Sequence, residues 1–181
     1  MRMVNDEPNL IISSTSTEVN DEGGVKVDET YFKQIVGSHM YLTTTRPDML
    51  FIVSLISCYM SKPAELYLQA AKRALRYLKG TINYGILCKK DGAEELLAFT
   101  DNDYSGDVED GRSTSGYVFL MNSGAVSWSL RKQPLVTLST TEAKFVAAAA
   151  CACQAVWMRR ILEKLGWKQK CSTTIMCELS Y

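Results

Sequence analysis

A change of hydrophobic period part-way along the chain constrains the fold more than any other feature of this 181-residue sequence. Up to Gly80, apolar residues recur at helical spacing. Between residues 84 and 130 they fall in short runs divided by turn residues. From 138 to 166 a long helix or two abutting ones follow, ending at Gly166, and "TTIMCELSY" is a last extended run. In the middle part "YGILCKK" turns through "DGAEE" into "LLAFTD", and "TSGYVFLMN" turns at "SG" into "AVSWSL". Three antiparallel strands followed by a crossover helix return a fourth strand parallel to the first, because the crossover carries the chain back to its starting end. The expected fold class is therefore α/β: a mixed sheet of three antiparallel strands, a crossover helix and a parallel fourth strand, preceded by a small helical segment. If the fourth strand pairs beside the first, Asp101 and Glu178 become neighbours.

The helical segment divides by its own punctuation. "YFKQIVGSHMYL" is a short apolar helix that ends before "TRPD", where Pro47 disfavours helix at Arg46. "MLFIVSLISCYM" is apolar nearly all round, which predicts burial. "SKPAELYLQAAKRALRYLKG" has Pro63 in its first turn and Gly80 as a stop, with Leu68, Ala71, Leu75 and Leu78 at helical spacing. Lys72, Arg73, Arg76 and Lys79 ride its other face, either as a solvated surface or as a phosphate-contacting one. Residues 1–28 are rich in Asn, Asp, Glu, Ser, Thr and Gly and predict a flexible leader. The expected division is a leader at 1–28, a helical segment at 29–82 and a sheet domain at 83–181.

Composition narrows the function classes. Lys plus Arg equals Asp plus Glu at 20 each, so no global basic field advertises nucleic acid, although a basic face remains compatible with that balance. The six cysteines contain no C-x-x-C and His39 is the single histidine, which argues against a zinc site. Reduced thiols and an N-terminus without a long apolar region predict an intracellular protein. No uninterrupted run of about 18 apolar residues is present, so no membrane span is expected.

The acids crowd one place. In "LLAFTDNDYSGD" an apolar run gives way to Asp101, Asp103 and Asp107. Like charges repel and isolated charges resist desolvation, so such a cluster needs open solvent or a cation. Asp101 and Asp103 can be turn acids at a strand end. Glu142 can be the capping glutamate of Ser139-Thr-Thr-Glu142, satisfying a backbone N–H of its own helix. The alternative is convergence. A strand-end acid, a first-turn helix acid and the end of a parallel neighbour can meet at one sheet edge and offer hard oxygen ligands to Mg²⁺ or Mn²⁺. Two such ions support in-line attack on a phosphodiester.

Longer words carry a resemblance. "VGSHMYLTTTRPDMLFIVSLISCYMSKPAELYLQAAKRALRYLKGTINYGI" resembles the C-terminal part of a copia-type retrotransposon reverse transcriptase. "FTDNDYSGDVEDGRSTSGYVFLMNSGAVSWSLRKQPLVTLSTTEAKFVAAAACACQAVWMRRILEKLG" resembles the ribonuclease H domain fused behind it. The resemblance covers roughly residues 31 to 181. It implies a ribonuclease H-like sheet, metal-dependent hydrolysis of RNA in an RNA–DNA hybrid, Asp101 as the first-strand acid and Glu142 as the helix acid. The family's third acid, an aspartate, is matched by Glu178, and its fourth would lie beyond Tyr181. Asp103 and Asp107 match acids common in this stretch and are expected to support or to face solvent. A lengthened third acid and a missing fourth imply impaired catalysis in a truncated domain, with self-association through the fourth strand.

Two other readings stay open. A non-catalytic nucleic-acid binder would use Arg112, Arg131 and Lys132 beside the strands together with the cations of residues 72–79. Arg73-Ala74-Leu75-Arg76 also resembles the Arg-x-Leu-Arg word of oomycete secreted effectors, with "EEL" at 94–96 as an echo of their acidic tail motif, which would imply secretion into a host plant cell.

Overall fold

The computed structural model describes residues 27–89, 95–107 and 110–177. The expected leader, apart from Val27 and Asp28, the turn at 91–94 and Glu178 lie outside them. The chain divides into two compact units. One contains α1 (Glu29–Leu42), a 3₁₀ turn (Pro47–Met49), α2 (Leu50–Ser57) and α3 (Glu65–Gly80). The other contains β1 (Leu97–Asp103), β2 (Thr114–Met121), most of β3 (Gly124–Lys132), α4 (Thr140–Lys164) and β4 (Thr174–Cys177).

The helical unit is built on small and branched side chains from all three helices. Phe32 and Val36 of α1, Ile52, Val53 and Ile56 of α2, and Leu68, Ala71 and Ala74 of α3 form one core. Asp28 starts α1 by accepting from the Thr30 and Tyr31 amides at 2.8 and 3.2 Å, which satisfies two of the donors a helix start leaves unpaired. His39 is fully buried, its Nδ1 2.7 Å from the Ile35 carbonyl. The buried stripe of α3 runs through Ala74, while Leu75 is 44% exposed, which corrects the expected register. A residue at i+3 from Ala71 lies closer to the stripe's centre line than one at i+4 here, and the small Ala74 admits close approach of α2. Pro63 lies ahead of α3, whose N-cap is Ala64, and Phe51 of α2 is 53% exposed rather than buried.

One polar group of this unit is more constrained than its neighbours. Arg46 lies beneath α3, donating from Nε to Asp48 Oδ1 at 2.9 Å and from Nη2 to Asp48 Oδ2 at 2.7 Å. It also donates to the Thr81 carbonyl at 3.1 Å and the Thr81 hydroxyl at 2.7 Å. The Tyr77 hydroxyl donates to Asp48 at 2.9 Å. Burial pushes the Asp48 carboxyl up, but the hydrogen bonds from Arg46 and Tyr77 outweigh it and hold Asp48 below the ordinary carboxylate value.

In the sheet unit the strand order is β3-β2-β1-β4. β1 runs antiparallel to β2, from Leu97↔Leu120 to Asp103↔Thr114, and parallel to β4, from Leu97↔Thr174 to Thr100↔Cys177. The expected three antiparallel strands with a parallel fourth are therefore present. Residues 84–89 form no strand, which corrects the reading of "YGILCKK". Their apolar side chains Tyr84 and Leu87 stand in solvent, and a strand without a pairing edge gains nothing from extended geometry. The β2–β3 turn sits at Asn122-Ser123, one residue earlier than expected. Both residues have positive φ, 52° and 64°, the type I′ geometry that matches strand twist.

One helix, α4, spans the whole stretch from Thr140 to Lys164 and covers one sheet face. Its Cys151, Ala155 and Leu162 pack with Leu96, Ala98 and Phe119, and Ile175 of β4 closes the layer. By length and composition α4 is long and apolar enough to cross a membrane, although charged residues interrupt its apolar stretches in the sequence. Its end is a Schellman motif. The Trp167 amide donates to the Leu162 carbonyl at 2.8 Å and the Gly166 amide to the Glu163 carbonyl at 3.1 Å, with Gly166 at φ 86°.

All six cysteines are free thiols, and only Cys151 is buried. Burial, with a smaller contribution from Cys177, pushes the Cys151 thiol up to about 11. Thiolate is the reactive form, so a thiol-disulfide reagent at pH 8 should titrate five cysteines rapidly in the native protein and Cys151 only after denaturant is added. Six equivalent fast thiols would show that the α4–sheet layer is open in solution.

Candidate functional site

Asp101 stands near the end of β1, opposite Gly116, and is exposed. Side chains alternate along a strand, so Asp101 shares a face with Leu97 and Phe99, while Ala98 and Thr100 face α4. Its Oδ1 accepts from the Asn102 amide at 2.7 Å. Asp103 folds back against Gly106, where a Cβ would collide with its carboxylate, which favours glycine at that turn. Ser105 beside it has φ 51°.

Glu142 occupies the first turn of α4, where Ser139 is the N-cap and accepts from the Glu142 amide at 3.1 Å. Its Oε2 accepts from the Leu138 amide at 2.7 Å. Glu142 therefore has the capping role open to it, shifted by one residue from the usual N-cap amide. That bond uses one carboxylate oxygen and leaves the other without a hydrogen bond from the described residues. Neither Asp101 nor Glu142 is ion-paired with a cation among the described residues.

On the α4-facing side of the sheet, the face opposite to Asp101, a glutamine that no sequence pattern marks ties the first turn of the helix to β2. Gln133, 2% exposed, donates from Nε2 to Ser115 Oγ at 2.7 Å and to the Ala143 carbonyl at 2.9 Å. Its own amide donates to the Ser113 carbonyl at 2.8 Å. Ser115 pairs with Asn102, the residue after Asp101, and Ala143 follows Glu142. In the same layer Ser113 Oγ lies 3.0 Å from Thr137 Oγ1 and accepts from the Ser105 amide at 3.1 Å. The sequence signal for Gln133 is slight, a lone amide between a strand and Pro134.

The predicted basic residues divide into two groups. Lys132 is ion-paired with Asp107 and lies 3.5 Å from Asp110, while Arg112 lies 3.6 Å from Asp110. Carboxylates of this chain thus compete for both cations. Lys72, Arg73, Arg76 and Lys79 are all exposed on α3, and Arg131 is exposed on β3. Among the described residues no three His, Cys, Asp or Glu side chains are grouped closely enough to hold a metal ion, and the third predicted acid, Glu178, lies outside them.

No family model matches the chain, and no solved structure matches it. Curated proteins do. The retrovirus-related Pol polyprotein from transposon RE1 of Arabidopsis thaliana is 37% identical over 177 residues, 97% of this chain and 12% of that protein. The corresponding polyprotein from transposon TNT 1-94 of Nicotiana tabacum is 36% identical over 155 residues, 85% of this chain and 11% of that protein. A secreted RxLR effector protein of Plasmopara viticola is 44% identical over 124 residues, 68% of this chain and 87% of that protein. The chain thus spans about an eighth of the length of the Pol polyproteins it matches. A likeness running from the helical unit through the sheet unit, at this identity, shows that the chain belongs to the retrovirus-related Pol family of copia-type retrotransposons.

Proposed function

We propose that the sheet unit is a ribonuclease H-like domain that engages RNA–DNA hybrid through a divalent cation held at Asp101 and Glu142, and that it cleaves the RNA strand slowly. The observation that carries this reading is the strand order β3-β2-β1-β4 with α4 as crossover, which sets Asp101 near the end of the central strand and Glu142 at the start of the helix packed on it. Membership of the Pol family supports the substrate class.

The donor set fits a hard cation in kind. Both groups are carboxylates, both are exposed, and each keeps one oxygen outside the hydrogen bonds described above. Mg²⁺ or Mn²⁺ bound there would supply Lewis-acid stabilisation of the phosphodiester. The chain's own contribution is to orient. The Asn102 amide fixes one Asp101 oxygen and the Leu138 amide fixes one Glu142 oxygen, so the remaining two oxygens are presented in defined directions. Within the sheet unit Arg112 and Lys132 must release Asp107 and Asp110 before they can meet a phosphate backbone. Glutamate at 178, one methylene longer than the aspartate of the family, supports slow turnover, since a misplacement on the order of 1 Å can cost about a hundredfold.

Incubating the protein with a labelled RNA–DNA hybrid in Mg²⁺ and in Mn²⁺, beside Asp101→Asn, tests the reading. Slow, metal-dependent cleavage that the substitution abolishes is expected. Hybrid that stays intact with folded protein in both metals, or cleavage unchanged by the substitution, would overturn it.

A second reading is favoured by the match to the secreted RxLR effector, which this chain covers over 87% of its length. The Arg73-Ala74-Leu75-Arg76 word lies within α3, where both arginines are exposed and Ala74 is core. Export of the protein into culture filtrate by the cells that express it is the expected result on this reading, and strict retention in the cell fraction would sink it.

A further inference from the structure

The geometry points to a modification site where α4 meets β4: Cys151 of the helix and Cys177 of the edge strand are placed to close as a disulfide, a latch that fixes β4 under oxidising conditions. The inference goes beyond the proposed cleavage and does not depend on it.

Strand register sets the two side chains in one layer. β4 runs parallel to β1, so paired residues share a sheet face, and Ile175 and Cys177 stand beside Ala98 and Thr100. That face lies under α4, because Ala98 packs with Cys151 and Thr100 is 6% exposed. Ile175 also packs against the cluster that holds Cys151, and Cys177 is the next residue along on the same face. The helix touches β4 directly. The charge of Cys177 acts on the Cys151 thiol and adds to the upward push of burial, an influence felt at short range. Cys153, two positions on, is turned about 200° round the helix and is exposed, so Cys151 is the thiol of α4 that faces the strand.

The two thiols differ in a way that orders the chemistry. Cys177 lies on the outermost strand of the order β3-β2-β1-β4 and is exposed, so an oxidant can reach it. Cys151 is fully buried and its thiol is pushed up to about 11, so it meets no oxidant from solvent and holds little thiolate. With oxidised glutathione as the oxidant, the Cys177 thiolate attacks one of its sulfurs, forms a mixed disulfide and expels a glutathione thiolate. The Cys151 thiolate then attacks the Cys177 sulfur, and the second glutathione leaves. Two protein thiols give up two electrons and two protons, and one glutathione disulfide takes up both to become two glutathione thiols. The scarcity of Cys151 thiolate makes the second step slow against the minutes of a thiol titration.

The strand has a use for such a tie. β4 is four residues long and, among the described residues, is paired on one side only. Short edge strands open early, since few bonds hold them. A covalent link to the 25-residue α4 removes that opening and restricts the unfolded chain as well.

Overnight incubation of the full chain with oxidised glutathione, followed by tryptic digestion without reductant, tests the site. Mass spectrometry should find residues 145–159 linked to residues 171–181, with fragmentation placing the bridge at Cys151 and Cys177 rather than at Cys153 or Cys171. The oxidised protein should melt about 10 °C higher than the reduced one, and dithiothreitol should reverse the gain. Cys177→Ser and Cys151→Ala should each abolish the shift. Should Cys151→Ala not fold, the exposed Cys177→Ser decides.

Cys177 left as its glutathione mixed disulfide, or bridged to any other cysteine, would overturn the inference. A Cys151–Cys177 bridge that leaves the melting temperature unchanged or lower would also overturn it, by showing that the layer has to distort before the two sulfurs can meet.

Discussion

Phe119→Ala should cost the sheet unit about 3–5 kcal/mol, enough to leave it largely unfolded at 37 °C. Phe119 is fully buried at the centre of the layer between the sheet and α4, and Tyr117 meets its ring edge-on at 5.5 Å between centroids. Its neighbours in that layer, Ala98, Cys151 and Ala155, are small and cannot expand into the space a truncation leaves. The cavity therefore persists and adds to the lost transfer energy. Chemical denaturation followed by Trp157 fluorescence and by circular dichroism checks this. A loss below about 1 kcal/mol would mean that α4 collapses onto the sheet, which its cap at Ser139 and its Schellman end at Gly166 should resist.

In the helical unit Arg46→Met should cost about 2–3 kcal/mol, with a pH signature that a core truncation would lack. Removing one member of a fully buried ion pair costs about 3–5 kcal/mol, and an exposed pair is worth about 0–1. Arg46 is 11% exposed at its side chain and Asp48 is 35% exposed, which places this pair nearer the buried limit but discounts it for solvent. The Thr81 carbonyl and hydroxyl lose their donor at the same time. The pH dependence gives a second signature. Asp48 titrates lower in the folded protein than in the unfolded chain, so its contribution is complete above the ordinary carboxylate value. It is lost as pH falls from about 4 through the lower folded value. Tyr77 is shifted up by burial and by Asp48, so its contribution is complete below about pH 10 and is lost as the pH rises further. In Arg46→Met the acid-side loss should shrink, because the strongest bonds that hold Asp48 down are gone and the Tyr77 hydroxyl is left to oppose the upward push of burial. Wild-type melts that stay flat between pH 5 and pH 3 would contradict the assignment.

Topology was the most legible part of this sequence. Alternating apolar runs, one long helical stretch and a last apolar run leave few ways to close a sheet, and the handedness of crossovers chooses among them. The turn at Asn122-Ser123, the stop at Gly166 and the Ser139 cap follow from local backbone chemistry, so their residues could be read within a position or two. The exposed stretch at 84–89 and the register of α3 could not. Whether an apolar run becomes a strand depends on a free neighbouring edge, and which of two adjacent residues faces the core depends on where the next helix lies.

The candidate site divides along the same line. Residue type and spacing alone pointed to Asp101 and Glu142 as the acids at a strand end and a helix start, since both positions are defined by local pattern. The fate of each carboxylate was decided in three dimensions. Glu142 is turned onto the Leu138 amide by the geometry of its own cap, and Lys132 and Arg112 are drawn to the carboxylates of Asp107 and Asp110. Gln133 shows the limit most clearly. Nothing in its neighbours along the chain marks it, because its partners Ser115 and Ala143 lie 18 positions before it and 10 after it. A hydrogen bond between distant residues leaves no periodicity behind. Only the packed structure, where every buried donor has to find an acceptor, decides which polar residue ties the helix to the sheet.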